Sequence, residues 1–445
     1  MSDRPLAYIE TRNFKNLQSQ RIDWKNLNIF IGPNGSGKSN VISIFQFLKN
    51  CLTEPDQSRG VTSFEDAISL LGQTRILDGT IRELPSTVTL KYGFSDSSSK
   101  NVCKISVLEV SLLIQRNSTG GVYIKYESLS SHRTSISEKT TQIQKIRQRR
   151  SFSEPRYFYK FHDEVSGKGV YTRKENPTSN QTQFETLEKV PVNELMLQGI
   201  DLLLDKSQFA PNITPLYRER RKIIDDVKQW QFYNANHMDL EAIRNAEPKF
   251  GRKDVFLLSA GTNLAAVIFN LDQQDFDFID RLNQEIKKIL PATLKVRALV
   301  LGTNLNVEWR WQNLEEPFYL YDLSDGTVRM LCWAVILLSP SPPPLLVIEE
   351  PEIGLHTAWM STLASWIKTA SMKSQVIITT HSPSLLDQFT DCPENILVFH
   401  PMPKDQVHYS ISRLDQSRLQ SWFDDGWELG DLYRIGDPVI GGWPW

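Results

Sequence analysis

Three observations predict an α/β fold with a parallel core sheet, an antiparallel β-subdomain and an inserted α-helical lobe. A short apolar strand at residues 27–31 runs directly into a glycine-rich loop, and an amphipathic helical pattern follows from Lys38 to about Cys51. Stretches at residues 87–94, 102–115 and 121–129 are rich in Val, Ile, Leu and Tyr and are separated by turn residues, the pattern of an antiparallel meander. Over the last 120 or so residues strand and helix patterns alternate, which calls for parallel strands joined by crossover helices.

In chain order, residues 6–14 and 20–24 alternate as paired strands do, ahead of the strand at 27–31. After the meander, residues 132 to about 180 turn to Ser, Thr, Gln, Lys and Arg with little periodicity and several Gly and Pro, which reads as an exposed insertion. Helical spacing returns at 192–204, 213–233 and 263–290, the last ending at Pro291, and these segments form the helical lobe. Residues 294–301 and 305–311, joined through Gly302, Thr303 and Asn304, read as a hairpin. The closing alternation is helix 325–338, strand 345–349, helix 357–371 and strand 375–379. The expected division is 1–131 for the N-terminal half of the core with its β-subdomain, 132–254 for the basic insertion and helical lobe, 255–400 for the C-terminal half, and 401–445 for a Trp-rich tail.

Composition excludes several classes. With 40% hydrophobic and 23% charged residues, and Lys+Arg 50 against Asp+Glu 52, the 445-residue chain is globular, neither disordered nor collagen-like. A net charge of -2 argues against coating nucleic acid by bulk electrostatics and leaves room for a local basic patch. No apolar run reaches the roughly 18 to 20 residues that cross a bilayer, and the first nine residues hold charge and no apolar signal core, so a cytoplasmic protein without a membrane partner is expected. Cys51, Cys103, Cys332 and Cys392 are scattered, with no CxxC pair or zinc spacing, and read as small buried hydrophobes.

The run Gly32-Pro33-Asn34-Gly35-Ser36-Gly37-Lys38-Ser39-Asn40 fits the Walker A pattern between a strand and a helix, the context the motif requires. Its glycines let backbone N–H groups turn onto phosphate oxygens, and the helix N-terminus adds positive potential. Lys38 is expected at the β- and γ-phosphates of ATP and Ser39 on Mg²⁺. Further on, the apolar strand 345–349 is followed at once by a second carboxylate, Glu350. Strand carboxyl ends face the crevice where α/β sheets bind ligands, so Glu349 is expected on Mg²⁺, directly or through water, and Glu350 as the general base that polarises water. His381 ends the next apolar strand and is expected to sense the γ-phosphate. Leu323-Ser324-Asp325-Gly326-Thr327 opens an apolar helix, and by itself is either a capped helix start or part of a site.

Together, in this order, Walker A, LSDGT, the strand ending Glu349-Glu350 and the Thr380-His381 step resemble the ABC-type ATPases. Phe14-Lys15-Asn16 ahead of the loop and the run Ile348 to His356 look like the branch containing RecF, the SMC proteins and the overcoming-lysogenization-defect (OLD) ATPases. The resemblance covers roughly residues 1–95 and 255–400 and implies an ABC-type P-loop ATPase head. It also implies a head-to-tail homodimer sandwiching two ATP, with Ser324, Asp325 and Gly326 of one copy facing the nucleotide at Lys38 of the other. It makes residues 352–356 the D-loop at the dimer interface, places Arg12 near the nucleotide, and leaves Gln73 as the candidate for the Q-loop glutamine that contacts Mg²⁺ or positions water. SMC proteins interpose a long coiled coil, whereas here 284 residues without heptads separate Ser39 from Leu323. OLD nucleases append a Toprim domain, and the 64 residues after His381 hold no glutamate strand followed by a DxD pair, so nuclease chemistry is expected from another chain.

Two segments remain. Between Arg133 and Lys174 stand eleven Lys and Arg against four acids, including Lys145, Arg147, Arg149 and Arg150, with Tyr157, Phe158 and Tyr159 following. That mixture suits either contact with DNA or RNA or a solvated arm. The cluster Arg218 to Lys222 is expected to pair with Asp225 and Asp226 on its own helix. In the tail, Trp422, Trp427, Trp443 and Trp445 form either a partner surface or a strap on the core, and the segment is similar to tails of short bacterial ATPases that work with a separately encoded protein. The sequence therefore leads to an ATP-hydrolysing dimeric switch, expected to control an effector or nuclease partner in bacterial anti-phage defence or DNA maintenance. The alternative is an ATP-gated DNA- or RNA-binding module.

Overall fold

The computed structural model describes residues 5–17, 19–53, 61–96, 102–115, 121–135, 156–162, 168–175, 182–187, 192–203, 215–402 and 405–441. The core sheet consists of β3 (Leu27–Ile31), β10 (Gln231–Asn234), β14 (Leu345–Glu349), β15 (Gln375–Thr379), β16 (Ile396–Met402) and β17 (Asp405–Arg413), in the order β10-β14-β15-β3-β16-β17. Its first five strands run parallel, and only β17 is antiparallel. Both faces of this sheet are covered. Ile29, Ile31, Leu346, Ile348, Val376 and Ile378 enter one core, while Phe30, Leu345, Val347 and Ile377 enter the other. A strand buried on both faces reads as a continuous apolar run, as strands 27–31 and 345–349 do.

The second sheet is an eight-stranded antiparallel array of β1 (Leu6–Arg12), β2 (Gln20–Asp23), β4 (Ser86–Asp96), β5 (Val102–Gln115), β6 (Gly121–Ser135), β7 (Arg156–His162), β8 (Lys168–Glu175) and β9 (Thr182–Leu187), in the order β2-β1-β4-β5-β6-β7-β8-β9. It packs on α1 (Lys38–Leu52) and α2 (Ser63–Leu71), whose Thr62 and Glu65 form a capping box. The third sheet, β11 (Thr293–Leu301), β12 (Asn304–Trp311) and β13 (Phe318–Tyr319), contains the expected hairpin. The remaining helices are α3 (Met196–Leu203), α4 (Pro215–Lys228), α5 (Leu240–Asn245), α6 (Leu264–Gln274), α7 (Phe278–Ile289), α8 (Asp325–Leu337), α9 (Met360–Ser371), α10 (Pro383–Asp387), α11 (Gln416–Asp424) and α12 (Leu429–Ile435). Helices α3 and α4 share the core of the eight-stranded sheet, whereas α6 and α7 lie in the opposite core with β11, β12 and α8.

Three expectations need correction. Residues 231–233, read as the end of a helix, form the edge strand β10, because pairing of Gln231–Asn234 with β14 and burial of Tyr233 outweigh helical spacing. The pattern over 263–290 is two helices broken at Asp275, whose carboxylate accepts from the Asp277 N–H (3.1 Å) and from Arg281 (2.7 Å). The stretch after residue 132 is not simply an exposed insertion, since β7, β8 and β9 extend the antiparallel sheet across it. A register shift opposite Leu129 and Ser130 inserts Phe158 as an extra residue, so Phe158 and Tyr159 both face inward and the period of two is hidden. Neither ring is free to stack on a base. Lys145, Arg147, Arg149 and Arg150 lie outside the described residues. In the cluster 218–222, Arg221 pairs with Asp225 (3.7 Å), Arg220 donates to the Leu197 carbonyl (2.6 Å), and Glu219 accepts from Lys104 (2.6 Å), so its described contacts are structural. Cys51 and Cys332 are buried free thiols, as expected, and Cys392 is half-buried.

Helix α3 is pinned to the sheet by Glu127 of β6. This buried carboxylate accepts from the Tyr159 hydroxyl (2.6 Å) and from the backbone N–H groups of Met196 (2.8 Å) and Leu197 (2.9 Å). Burial pushes Glu127 up to about 7 against the pull of those three hydrogen bonds. An acid whose folded-state value is raised stabilises the fold while protonated, and that contribution is lost as pH rises through the folded value. Between about pH 4.5 and 7, denaturant titration should show the wild-type protein losing on the order of 3 kcal/mol that Glu127→Gln does not lose. Equal losses in both proteins would assign the pH dependence to other groups.

Candidate active site

The chain leaves β3 through Gly32, where φ is 146° and an added Cβ would lie 2.8 Å from Phe399 Cβ and 3.0 Å from its carbonyl oxygen. Gly37 (φ 99°) is equally constrained, since a Cβ there would meet Asn16 Oδ1 and Leu17 at 2.8 Å. Gly37 also caps α1 with no side-chain hydrogen bond, and the first turn holds no acid, so its N–H groups are open to an anion. The buried Lys38 ammonium donates to the carbonyls of Gly32 (2.7 Å) and Pro33 (2.9 Å). Burial lowers Lys38 to about 8, opposed by the carboxylates of Glu350 and Glu349.

Ser39, on the first turn of α1, donates to Glu349 Oε2 at 3.1 Å, joining the loop to the end of β14. Successive side chains of a strand point to opposite faces, so a regular continuation would turn Glu350 away from Glu349. The backbone at Glu350 instead enters the left-handed region (φ 52°), a costly conformation for a residue with a Cβ. It is held there by the Glu350 N–H, which donates to the Thr379 carbonyl (2.9 Å) and hydroxyl (3.2 Å). Both carboxylates consequently line the same cleft as the loop.

His381 follows β15 after Thr380. Its N–H donates to Glu352 Oε1 (3.0 Å), which also accepts from the Thr380 hydroxyl (2.6 Å). Its Nδ1 lies 3.2 Å from the Tyr433 hydroxyl, and its Nε2 lies 4.0 Å from Glu350 Oε1. Burial, and then Lys38, hold the imidazole below its ordinary value despite Glu350. Burial raises Glu352 against its hydrogen bonds from Thr380 and His381. Glu352, expected in a D-loop, thus spends one carboxylate oxygen on positioning His381.

The cleft is lined by Asn34, Gly35, Ser36, Gly37, Lys38, Ser39, Asn40, Glu349, Glu350, Thr379 and His381. Ser324, Asp325 and Gly326 are elsewhere, at the start of α8. Ser324 accepts from the Thr327 N–H (3.3 Å), and Asp325 pairs with Arg244 (2.6 Å). Arg12 sits in a separate groove with Glu10, Arg21, Lys91 and Glu109. Gln73 lies exposed on a 3-10 turn after α2 and is not among the lining residues. Two asparagines were not anticipated. Asn236, just after β10, donates to Glu350 Oε2 (3.2 Å), and it was obscured by reading its strand as helix. Asn16 donates to the Gly35 carbonyl (2.9 Å) and accepts from Asn40 (2.6 Å), and its place in the Phe14-Lys15-Asn16 run was the available signal.

The donor set fits a magnesium nucleotide. An uncapped helix N-terminus and a buried lysine suit phosphates, and the hydroxyl and carboxylate oxygens of Ser39 and Glu349 suit a hard cation. No group of three or more His, Cys, Asp or Glu able to hold a metal occurs among the described residues, so phosphate oxygens and water would have to complete its coordination.

A family model described as "AAA domain, putative AbiEii toxin, Type IV TA system" matches residues 27–157 and 178–387, well over half of the chain. The chain belongs to that family. Two proteins named DNA replication and repair protein RecF are similar to this AAA-domain chain, from Lactococcus lactis subsp. cremoris (strain MG1363) and subsp. lactis (strain IL1403). Each is 33% identical over 91 residues, 20% of this chain and 24% of theirs, so the match spans about a quarter of the length of those relatives. Among solved structures it is similar to an SmcHead bound to the C-winged helix domain of ScpA (12% identity, 93% of this chain, 99% of that chain, TM-score 0.48). It is also similar to the SMC head domain from Thermotoga maritima (12% identity, 92% and 99%, TM-score 0.42). The recognition of an ABC-type, RecF-like ATPase chain and the α/β P-loop fold both hold. Among the described residues, no helix is long and apolar enough to cross a membrane.

For this AAA-domain protein, titration with a fluorescent ATP analogue should show binding weakened at least about tenfold by Lys38→Ala and unchanged by Gln73→Ala. Wild-type affinity in Lys38→Ala would remove the loop from nucleotide binding.

Proposed function

We propose that the chain binds and hydrolyses ATP as a cytoplasmic molecular switch. It works as a head-to-tail dimer around two Mg-ATP and controls a separately encoded effector or nuclease in bacterial anti-phage defence or DNA maintenance. The observation that carries the ATPase reading is the left-handed turn at Glu350, which brings a second carboxylate beside the Ser39–Glu349 contact and within 4.0 Å of His381. Loop N–H groups and Lys38 hold the phosphates, and Ser39 and Glu349 hold the cation. Mg²⁺, when bound, neutralises charge developing on the phosphate oxygens. Glu350, oriented by Asn236, takes the proton of the attacking water, and His381 hydrogen-bonds the terminal phosphate.

Dimerisation is supported by the position of LSDGT, which begins a buried helix outside the chain's own cleft, with the Asp325 side chain 72% exposed. A second copy would bring those groups to the nucleotide, and ATP binding energy would close the pair. The effector role draws support from the similar proteins: the family description refers to a toxin of a type IV system, and the RecF relatives are named for DNA replication and repair. The alternative, direct gripping of DNA or RNA, is weakened by burial of Phe158 and Tyr159.

Steady-state kinetics should find that Glu350→Gln binds ATP and loses turnover by about a hundredfold or more, and that Asn236→Ala loses about tenfold with KM little changed. Near-normal turnover in Glu350→Gln would remove it as the base. Lys38→Ala and Ser324→Arg proteins, each inactive alone, should recover activity on mixing, because one composite site of the mixed dimer is intact. No recovery at any ratio would refute sharing in trans.

A further inference from the structure

The tail is built against the residue that faces the cleft. Helix α12 lies on α10, the helix that starts two residues after His381. The approach is close: an added Cβ at Gly430 would lie 2.2 Å from both Asp387 Oδ1 and the Pro383 carbonyl. The Gly430 N–H donates to Asp387 Oδ1 (2.7 Å), Arg434 donates to Asp387 Oδ2 (3.0 Å), and the Leu429 N–H donates to the Thr390 hydroxyl (3.1 Å). Leu429 and Leu432 are fully buried beneath the helix. This seating delivers the Tyr433 hydroxyl to His381 Nδ1 at 3.2 Å, with the Tyr433 side chain itself buried.

A neutral imidazole has one N–H and one acceptor nitrogen, and the partner of one nitrogen decides which carries the proton. A phenol is the better donor of this pair, so a Tyr433 O–H aimed at Nδ1 leaves the ring proton on Nε2. That nitrogen is the one 4.0 Å from Glu350 Oε1, on the cleft side. An N–H there can donate to an anionic oxygen, whereas the opposite tautomer would present a lone pair to it. We infer that Tyr433 is a positioning residue that fixes His381 with its proton on Nε2, making the C-terminal helix α12 part of the site. This rests on the ATPase reading above for its consequence, but the tautomer itself does not. The charged and titratable neighbours agree. Burial, and then Lys38, lower the imidazole's pKa against the pull of Glu350, and burial, and then Glu352, raise that of the phenol.

The test uses the full-length protein labelled with ¹⁵N at histidine. Long-range ¹H–¹⁵N spectra at about pH 8, well above the ordinary imidazole value, should show His381 as the Nε2–H tautomer in wild type and as a mixture in Tyr433→Phe, with assignment by His381→Gln. ATP hydrolysis by Tyr433→Phe should fall about tenfold in kcat with KM within about twofold. Gly430→Ala, which unseats α12 and keeps the phenol, should reproduce both changes. An Nδ1–H tautomer in wild type, or unchanged spectra and kcat in Tyr433→Phe, would overturn the inference. A wild-type protein without turnover would overturn the ATPase reading instead, and the spectra would still decide the tautomer.

Discussion

The shared register of three parallel strands is the constraint on which the site depends. Thr379 of β15 is paired with Phe30 of β3 on one side and with Glu349 of β14 on the other, so the loop, His381 and the carboxylates leave the sheet at one level. Adjacent strands lie about 4.8 Å apart, which places the three ends within reach of one triphosphate. A slip of one residue would move Glu349 by about 3.3 Å and turn every side chain of its strand to the wrong face. That slip is opposed from both sides, because alternate residues of each strand are buried in two different cores. An exposed sheet face would leave the register held by one core alone.

Regular structure brings these groups to the edge of the sheet, and departures from it complete the cleft. A strand cannot aim adjacent residues in one direction, so Glu350 reaches the cleft only through a backbone conformation that costs about 1–3 kcal/mol. Two hydrogen bonds from its N–H to Thr379 offset that strain, and Thr379 belongs to the neighbouring strand. Gly32 and Gly37 are departures of the same kind. Each turns the backbone where β16 or the segment after β1 leaves no room for a Cβ. The strained residues and their supports come from separate parts of the chain, so the site exists only in the assembled fold.

This explains what was legible in the sequence. Walker A, Glu349, Glu350 and His381 follow apolar strands directly, and their signals are local, so their convergence followed from strand order alone. Asn236 was hidden because Gln231–Asn234 is a four-residue edge strand next to a helix, and its identity as strand comes from pairing with β14. Strands β7 to β9 were missed for a related reason. A bulge at Phe158 breaks the alternation that would have marked β7, and cross-strand pairing supplies what polar composition conceals. Gln73 was selected for its residue type, but β14 is flanked on its outer side by β10, and the amide that reaches Glu350 comes from the turn after that strand.

Two segments that look accessory in the sequence each end on a group that lines the cleft. From the tail, α12 reaches His381 through Tyr433. From the LSDGT segment, Asp325 pairs with Arg244, and Arg329 one turn later on α8 donates to the carbonyl of Ala235, the residue before Asn236. Asn236 in turn donates to Glu350, so the helix that begins with LSDGT is joined to that cleft carboxylate by two side chains and one peptide unit. Tight packing transmits small displacements along such a chain, because interiors have few voids to absorb them. In the proposed dimer, a partner nucleotide engaging Ser324 would therefore load the same helix that holds Asn236 in place. The two nucleotide sites would then sense one another through rigid contacts already present in each copy, with no additional moving part.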